Sequence, residues 1–133
     1  MAGYSGTPLV TKIGIKDAHT VLLDALPSGV DLGDLGDAHV VRRLPARAVL
    51  DVTLTFHLER ARLARRLPQL IERTVPDGMI WVCWPKRASK VPTDITEDVV
   101  REIALPAGVV DVKVAAIDEV WSGLKLVRRL ANR

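Results

Sequence analysis

Apolar positions along this chain follow two rhythms that alternate. Compact apolar runs of five to eight residues, TVLLDA at 20–25, VLDVTLTF at 49–56 and IWVCW at 80–84, have the β-branched and aromatic content of buried strands. Between and after them the apolar spacing widens to three and four. Leu63, Leu67, Leu70 and Ile71 form one stripe within residues 58–74, and Val99, Val100 and Ile103 form another after Thr96-Glu97. The spacing predicts helices there, the second stopped by Pro106 and Gly108. Pro68 removes a backbone donor inside the first and predicts a kink or a restart.

The flanks complete the pattern. Thr7-Pro8 and Gly14 bracket a short N-terminal helix that puts Leu9, Val10 and Ile13 on one face. Residues 27–37 are rich in Gly and Asp and allow one or two helical turns, and 38–43 suits a short edge strand. Pro76-Asp77-Gly78 reads as a turn before strand 79–84, and residues 85–93 as a loop. Strands at 110–117 and 123–130, joined by a short loop, predict a closing hairpin. Alternating β and α segments with this ending predict one α/β domain over residues 1–133: three-layer and Rossmann-like, its mostly parallel sheet ending in an antiparallel hairpin. The link between residues 43 and 49 is short for a parallel crossover, which usually takes a dozen residues or more.

Composition narrows the classes. Hydrophobic residues are 48% and charged residues 26% of 133, the balance of one globular domain, and no apolar run reaches the ~20 residues that span a bilayer. MAGYSGTPLV lacks the basic and apolar regions of a signal peptide. Cys83 is the only cysteine, so neither an internal disulfide nor a structural zinc site can form, and it reads as a small core residue. A cytoplasmic setting is expected. The net charge of +3 comes with arginines clustered at 60, 62, 65, 66 and 73, without interleaved aromatics. They read as a solvated helix face, which disfavours a nucleic-acid partner.

Three features together resemble the Rossmann-like S-adenosylmethionine-dependent methyltransferases. They are a helix leading into TVLLDA, the run VLDVTLTF–helix–PDG–MIWVCWP, and the hairpin VDVKVAAIDEVWSGLKLV. The resemblance implies a glycine-rich loop after the first strand, but this chain has Asp24-Ala25-Leu26-Pro27-Ser28-Gly29 there. No cofactor is therefore expected, and no S-adenosylmethionine over residues 24–29. Longer stretches, GYSGTPL, IWVCWPKRAS, VPTDITEDVVREIALP and the hairpin, resemble the bacterial domain of unknown function 3052 family, from which no catalytic residue carries over.

A parallel sheet would gather polar groups where its strands end. Asp24 and His57 come from the first two long strands, and Trp84, Lys86 and Lys90 from the third. The hairpin loop adds Asp118, Glu119, Trp121 and Ser122, and the long loop adds Thr93 and Asp94. His57 has a pKa suited to acid–base work, the lysines suit an anion, and Trp84 with Trp121 suits an aromatic wall. Asp94 suits the start of the helix that follows it. No three-ligand metal set is present. The expected function is a non-catalytic module binding a small anionic ligand or a protein partner on a degenerate scaffold. The alternative is a small enzyme acting on an anionic substrate through Lys86, His57 and an acid.

Overall fold

The computed structural model describes residues 8–132. Thr7, expected to cap the first helix, lies outside them. Helix α1 spans Leu9–Ile13 and stops at Gly14, whose φ of 95° is left-handed. Strands β1 (Thr20–Asp24), β2 (His39–Val41) and β3 (Leu50–Phe56) follow, then α2 (Arg60–Glu72), β4 (Thr74–Pro85), α3 (Glu97–Ala107), β5 (Val109–Ala116) and β6 (Trp121–Arg128). All six strands form one sheet in the order β2-β1-β3-β4-β6-β5. The first four are parallel, and β6 is antiparallel to both β4 and β5.

Apolar side chains pack on both faces of the sheet. On one, Leu63, Leu67, Leu70 and Ile71 of α2 and Val100 and Ala104 of α3 bury Leu22, Ile80, Val82 and Leu124. On the other, Ile13 and Ile15 with Val30 and Leu32 bury Val21, Leu23, Val52, Leu54 and Trp81. The three layers are thus uneven. The one or two helical turns allowed within 27–37 do not form, and the irregular segment 25–38 covers the sheet between β1 and β2. The short link 42–49 also carries no helix, yet it joins β2 to β3 across β1. Leu44 packs onto the helical face as it passes.

Two expectations about proline need correction. Helix α2 does not restart at Pro68 but continues through it. Ala64, whose carbonyl loses its helical partner, and Pro68 are both exposed, so the interruption falls on the solvent side of the helix. Pro76-Asp77-Gly78 is no separate turn but a bulge inside β4, where the pairing with β3 jumps from Leu50↔Thr74 to Val52↔Met79. A Cβ at Gly78 would lie 2.6 Å from Thr74 Cγ2 and 3.0 Å from the Leu50 and Asp51 carbonyls, so only glycine fits that crowding. Trp81 and Trp84 of β4 face opposite sides, as a separation of three in a strand requires. Trp81 donates its indole N–H to the Ile13 carbonyl at 3.0 Å and lies against Gly123, where a Cβ would come 3.0 Å from Trp81 Cε3.

Among the described residues, one wholly buried side-chain polar atom lacks a partner, Thr53 Oγ1 of β3. Desolvating a hydroxyl without a hydrogen bond costs about 1–3 kcal/mol. Thr53→Val keeps the shape and removes that cost. Urea unfolding should show the variant about 1 kcal/mol more stable, and a destabilised variant would mean the hydroxyl is bonded in solution.

Candidate functional site

The direction of strand progression reverses between β1 and β3, because β2 lies on one side of β1 and the later strands on the other. Beyond the carboxyl ends of β1 and β3 the connections diverge and leave a crevice, the usual ligand position in open α/β sheets. Asp24 ends β1, and Thr55 and His57 lie at the end of β3. Helix α2 starts three residues after His57 and turns Arg62, Arg65, Arg66 and Gln69 towards the opening. The i, i+3, i+4, i+7 spacing makes those four a single stripe. With Asp24, Ala25 and His57 they line a cleft of about 410 Å3.

Its polar groups are coupled. Arg66 donates to Asp24 through Nε at 3.0 Å and Nη2 at 2.7 Å, one nitrogen to each carboxylate oxygen. Thr55 Oγ1 donates to Asp24 Oδ2 at 2.8 Å and lies 2.6 Å from His57 Nε2. Burial opposes the Asp24 charge, but the bonds from Arg66 and Thr55 outweigh it and hold the pKa below the usual carboxylate value. Burial lowers the His57 pKa, Asp24 works against that, and Arg62 and Arg66 reinforce it, so the ring favours its neutral form. Arg62 and Arg65 make no ion pair among the described residues.

A second cleft, of about 460 Å3, lies on the other side of the end of β1. Its walls are largely apolar, with Leu23, Leu26, Val30, Leu32, Leu35 and Val40, and its charged groups are Asp31 and Arg42. Residues 23–26 separate the two clefts. In that divider Ala25 adopts a left-handed φ of 57° without being glycine.

The residues expected at the sheet edge therefore divide into two groups. Asp24 and His57 share the crevice. Lys86 does not reach it, because its Nζ donates to the Asp118 carbonyl at 2.7 Å and its N–H to the Val120 carbonyl at 2.7 Å, tying the end of β4 to the hairpin loop. Trp84 and Trp121 are buried on opposite faces of the sheet and cannot form one aromatic wall. Ser122 pairs with Trp84 across the strands, Glu119 is exposed in the hairpin loop, and Lys90 closes a 3-10 turn at 87–89 with a φ of 63°. Asp94 accepts the Arg60 N–H at 2.6 Å and so supports the start of α2, whereas Thr96 caps α3. Thr55, Arg62, Arg65, Arg66 and Gln69 join the site without having been among its expected residues. The signal was the 62-65-66-69 spacing, which read as a solvated face.

No family model and no curated protein sequence matches the chain. Solved structures do. A S-adenosylmethionine-dependent methyltransferase from Aquifex aeolicus superposes with a TM-score of 0.61 at 16% identity, covering 89% of this chain and 86% of that one. The fold is Rossmann-like, of the methyltransferase type. The 1,6-didemethyltoxoflavin-N1-methyltransferase of Burkholderia thailandensis, with S-adenosylhomocysteine bound, gives 0.63 at 13% identity over 91% and 76%. The magnesium protoporphyrin IX methyltransferase of Synechocystis PCC 6803, also with S-adenosylhomocysteine, gives 0.59 at 10% over 91% and 78%. These findings correct the expectation of a non-catalytic module on a degenerate scaffold: the three chains named, which share this scaffold over most of both lengths, are methyltransferases.

Proposed function

We propose that this chain is a methyltransferase that binds S-adenosylmethionine across the carboxyl end of β1. The observation that carries the reading is the pair of clefts at the switch point, one basic and one apolar, divided only by residues 23–26. The cofactor has the same two-ended character. Its amino-acid carboxylate suits Arg62 and Arg65, the crevice arginines without an ion-pair partner among the described residues. Its adenosine suits the apolar walls around Leu26, Leu32 and Val40, with Asp31 available to accept from ribose hydroxyls. The missing glycines are the departure from the resemblance noted above. Ala25 already takes the left-handed conformation for which such a loop uses glycine, so the backbone turns sharply at the end of β1 without one. When bound, the cofactor supplies an electrophilic methyl group.

Membership of the domain of unknown function 3052 family is part of this reading, supported by the long stretches quoted above. So is a cytoplasmic setting, which a free, fully buried Cys83 in β4 suits.

Calorimetric titration with S-adenosylhomocysteine tests the proposal. The expected result is micromolar binding, weakened about tenfold by Arg62→Ala or Arg65→Ala, the worth of one charge-assisted bond. Val40→Trp should obstruct the apolar cleft and weaken binding as well. A folded wild-type protein that binds neither S-adenosylmethionine nor S-adenosylhomocysteine at millimolar concentration would overturn it.

A further inference from the structure

We infer that His57 is the proton acceptor of the crevice, fixed by Thr55 and Asp24 in the tautomer that leaves Nδ1 free. The number of protons available in the triad fixes the tautomer. Arg66 binds both oxygens of Asp24, so this carboxyl is ionised and can only accept. Thr55 has one hydroxyl proton and gives it to Asp24. The 2.6 Å contact between Thr55 Oγ1 and His57 Nε2 must then have the hydroxyl oxygen accepting and Nε2–H donating. The neutral ring carries a single N–H, so Nδ1 holds a lone pair.

Nδ1 has no hydrogen-bond partner among the described residues. Thr53 Oγ1 is the one wholly buried, unpartnered side-chain polar atom among them, so Nδ1 meets solvent. The ring lines the crevice, and Nδ1 is the ring atom a bound molecule can reach. Facing His57 are Asp24 on β1 and Arg62, Arg65 and Arg66 on α2, while β4 offers it only the Cys83 backbone carbonyl, which accepts the His57 N–H at 3.0 Å. The lowered pKa agrees with this geometry, since it leaves the imidazole unprotonated at neutral pH. Thr55 and Asp24 are positioning residues that set which nitrogen is bare.

The identity of the reaction rests on the methyltransferase reading, while the state of His57 does not. A base beside the transfer site selects acceptors with a proton to lose, an O–H or N–H rather than a thioether or tertiary amine. The acceptor's proton passes to Nδ1, and its electron pair forms the new bond to the methyl carbon while the carbon–sulfur pair stays on sulfur. The imidazolium then releases the proton to water.

Long-range proton–nitrogen NMR of the uniformly 15N-labelled full chain tests this. His57 is assigned against His19 and His39 with His57→Gln. The expected spectrum has His57 as the Nε2–H tautomer at neutral pH, protonating below the ordinary imidazole value. Thr55→Val removes the acceptor and should give a mixture of tautomers. Diethylpyrocarbonate should modify His57 at neutral pH, as it does a solvent-accessible bare ring nitrogen. An Nδ1–H tautomer, an imidazolium at pH 7, a tautomer unchanged in Thr55→Val, or no adduct at His57 would each overturn the inference. The two readings fail separately: S-adenosylhomocysteine binding with the wrong tautomer removes this one alone, and the right tautomer without binding removes only the choice of cofactor.

Discussion

Replacing Trp121 with alanine should cost about 3–5 kcal/mol of unfolding free energy, the range of large-to-small changes in a packed core. Trp121 is 9% exposed and belongs to the cluster that holds Leu54, Trp81 and Ile117. Its ring meets Phe56 edge-on, with centroids 5.3 Å apart and planes at 83°, a geometry that adds to simple burial. Its backbone is fixed as well. Asp118 Oδ1 accepts the Trp121 N–H at 2.7 Å, and the Trp121 carbonyl accepts from Ile117 at 2.9 Å. Urea unfolding of the variant measures the loss. A cost under about 1 kcal/mol, the size of a surface change, together with lost ligand binding would place the ring on a ligand surface instead.

Arg66→Ala should cost about 2–3 kcal/mol at neutral pH, less than the 3–5 of a fully buried pair, because the Arg66 side chain keeps 28% of its surface exposed against 10% for Asp24. The cost comes from leaving the Asp24 carboxylate in place without the guanidinium. The Asp24 pKa is lowered by folding, so its contribution to stability is complete above the unfolded value and is lost as pH falls through the folded one. In the variant that folded value rises. The gap between wild type and Arg66→Ala should therefore be widest above about pH 4, the ordinary aspartate value, and should narrow in acid as Asp24 protonates. Urea curves at pH 7 and pH 3 check this. An equal gap at both would trace the loss to packing of the arginine stem.

What the sequence made legible follows the strength of local signals. The cores of β1, β3 and β4 are apolar runs with no competing reading, and the hairpin of β5 and β6 has turn chemistry and alternation on its side. Thr74-Val75 and the following Pro-Asp-Gly were misread because a turn signal inside a strand marks a bulge only when a partner strand fixes the register, and that partner, β3, lies more than 20 residues earlier. The segment 25–38 was misread for a related reason. Val30, Leu32 and Leu35 are spaced as a helix could use them, but what they satisfy is the apolar surface of the sheet. In the site, Asp24 and His57 were found because strand ends are readable. The arginines were not, since a stripe on a helix says which residues share a face and not what the face meets.

The contact of Gly123 with Trp81 binds two neighbouring strands to a single allotment of volume. The indole occupies the space that any side chain at 123 would need, with Ile117 closing it at 3.1 Å from the same Cβ position. Divergence in this part of the sheet is therefore constrained to paired steps. A larger residue at 123 requires a smaller one at 81, and the smaller residue forfeits the indole bond that anchors the end of α1. Among chains of common descent, positions 81, 117 and 123 should drift as a trio whose summed size stays nearly constant.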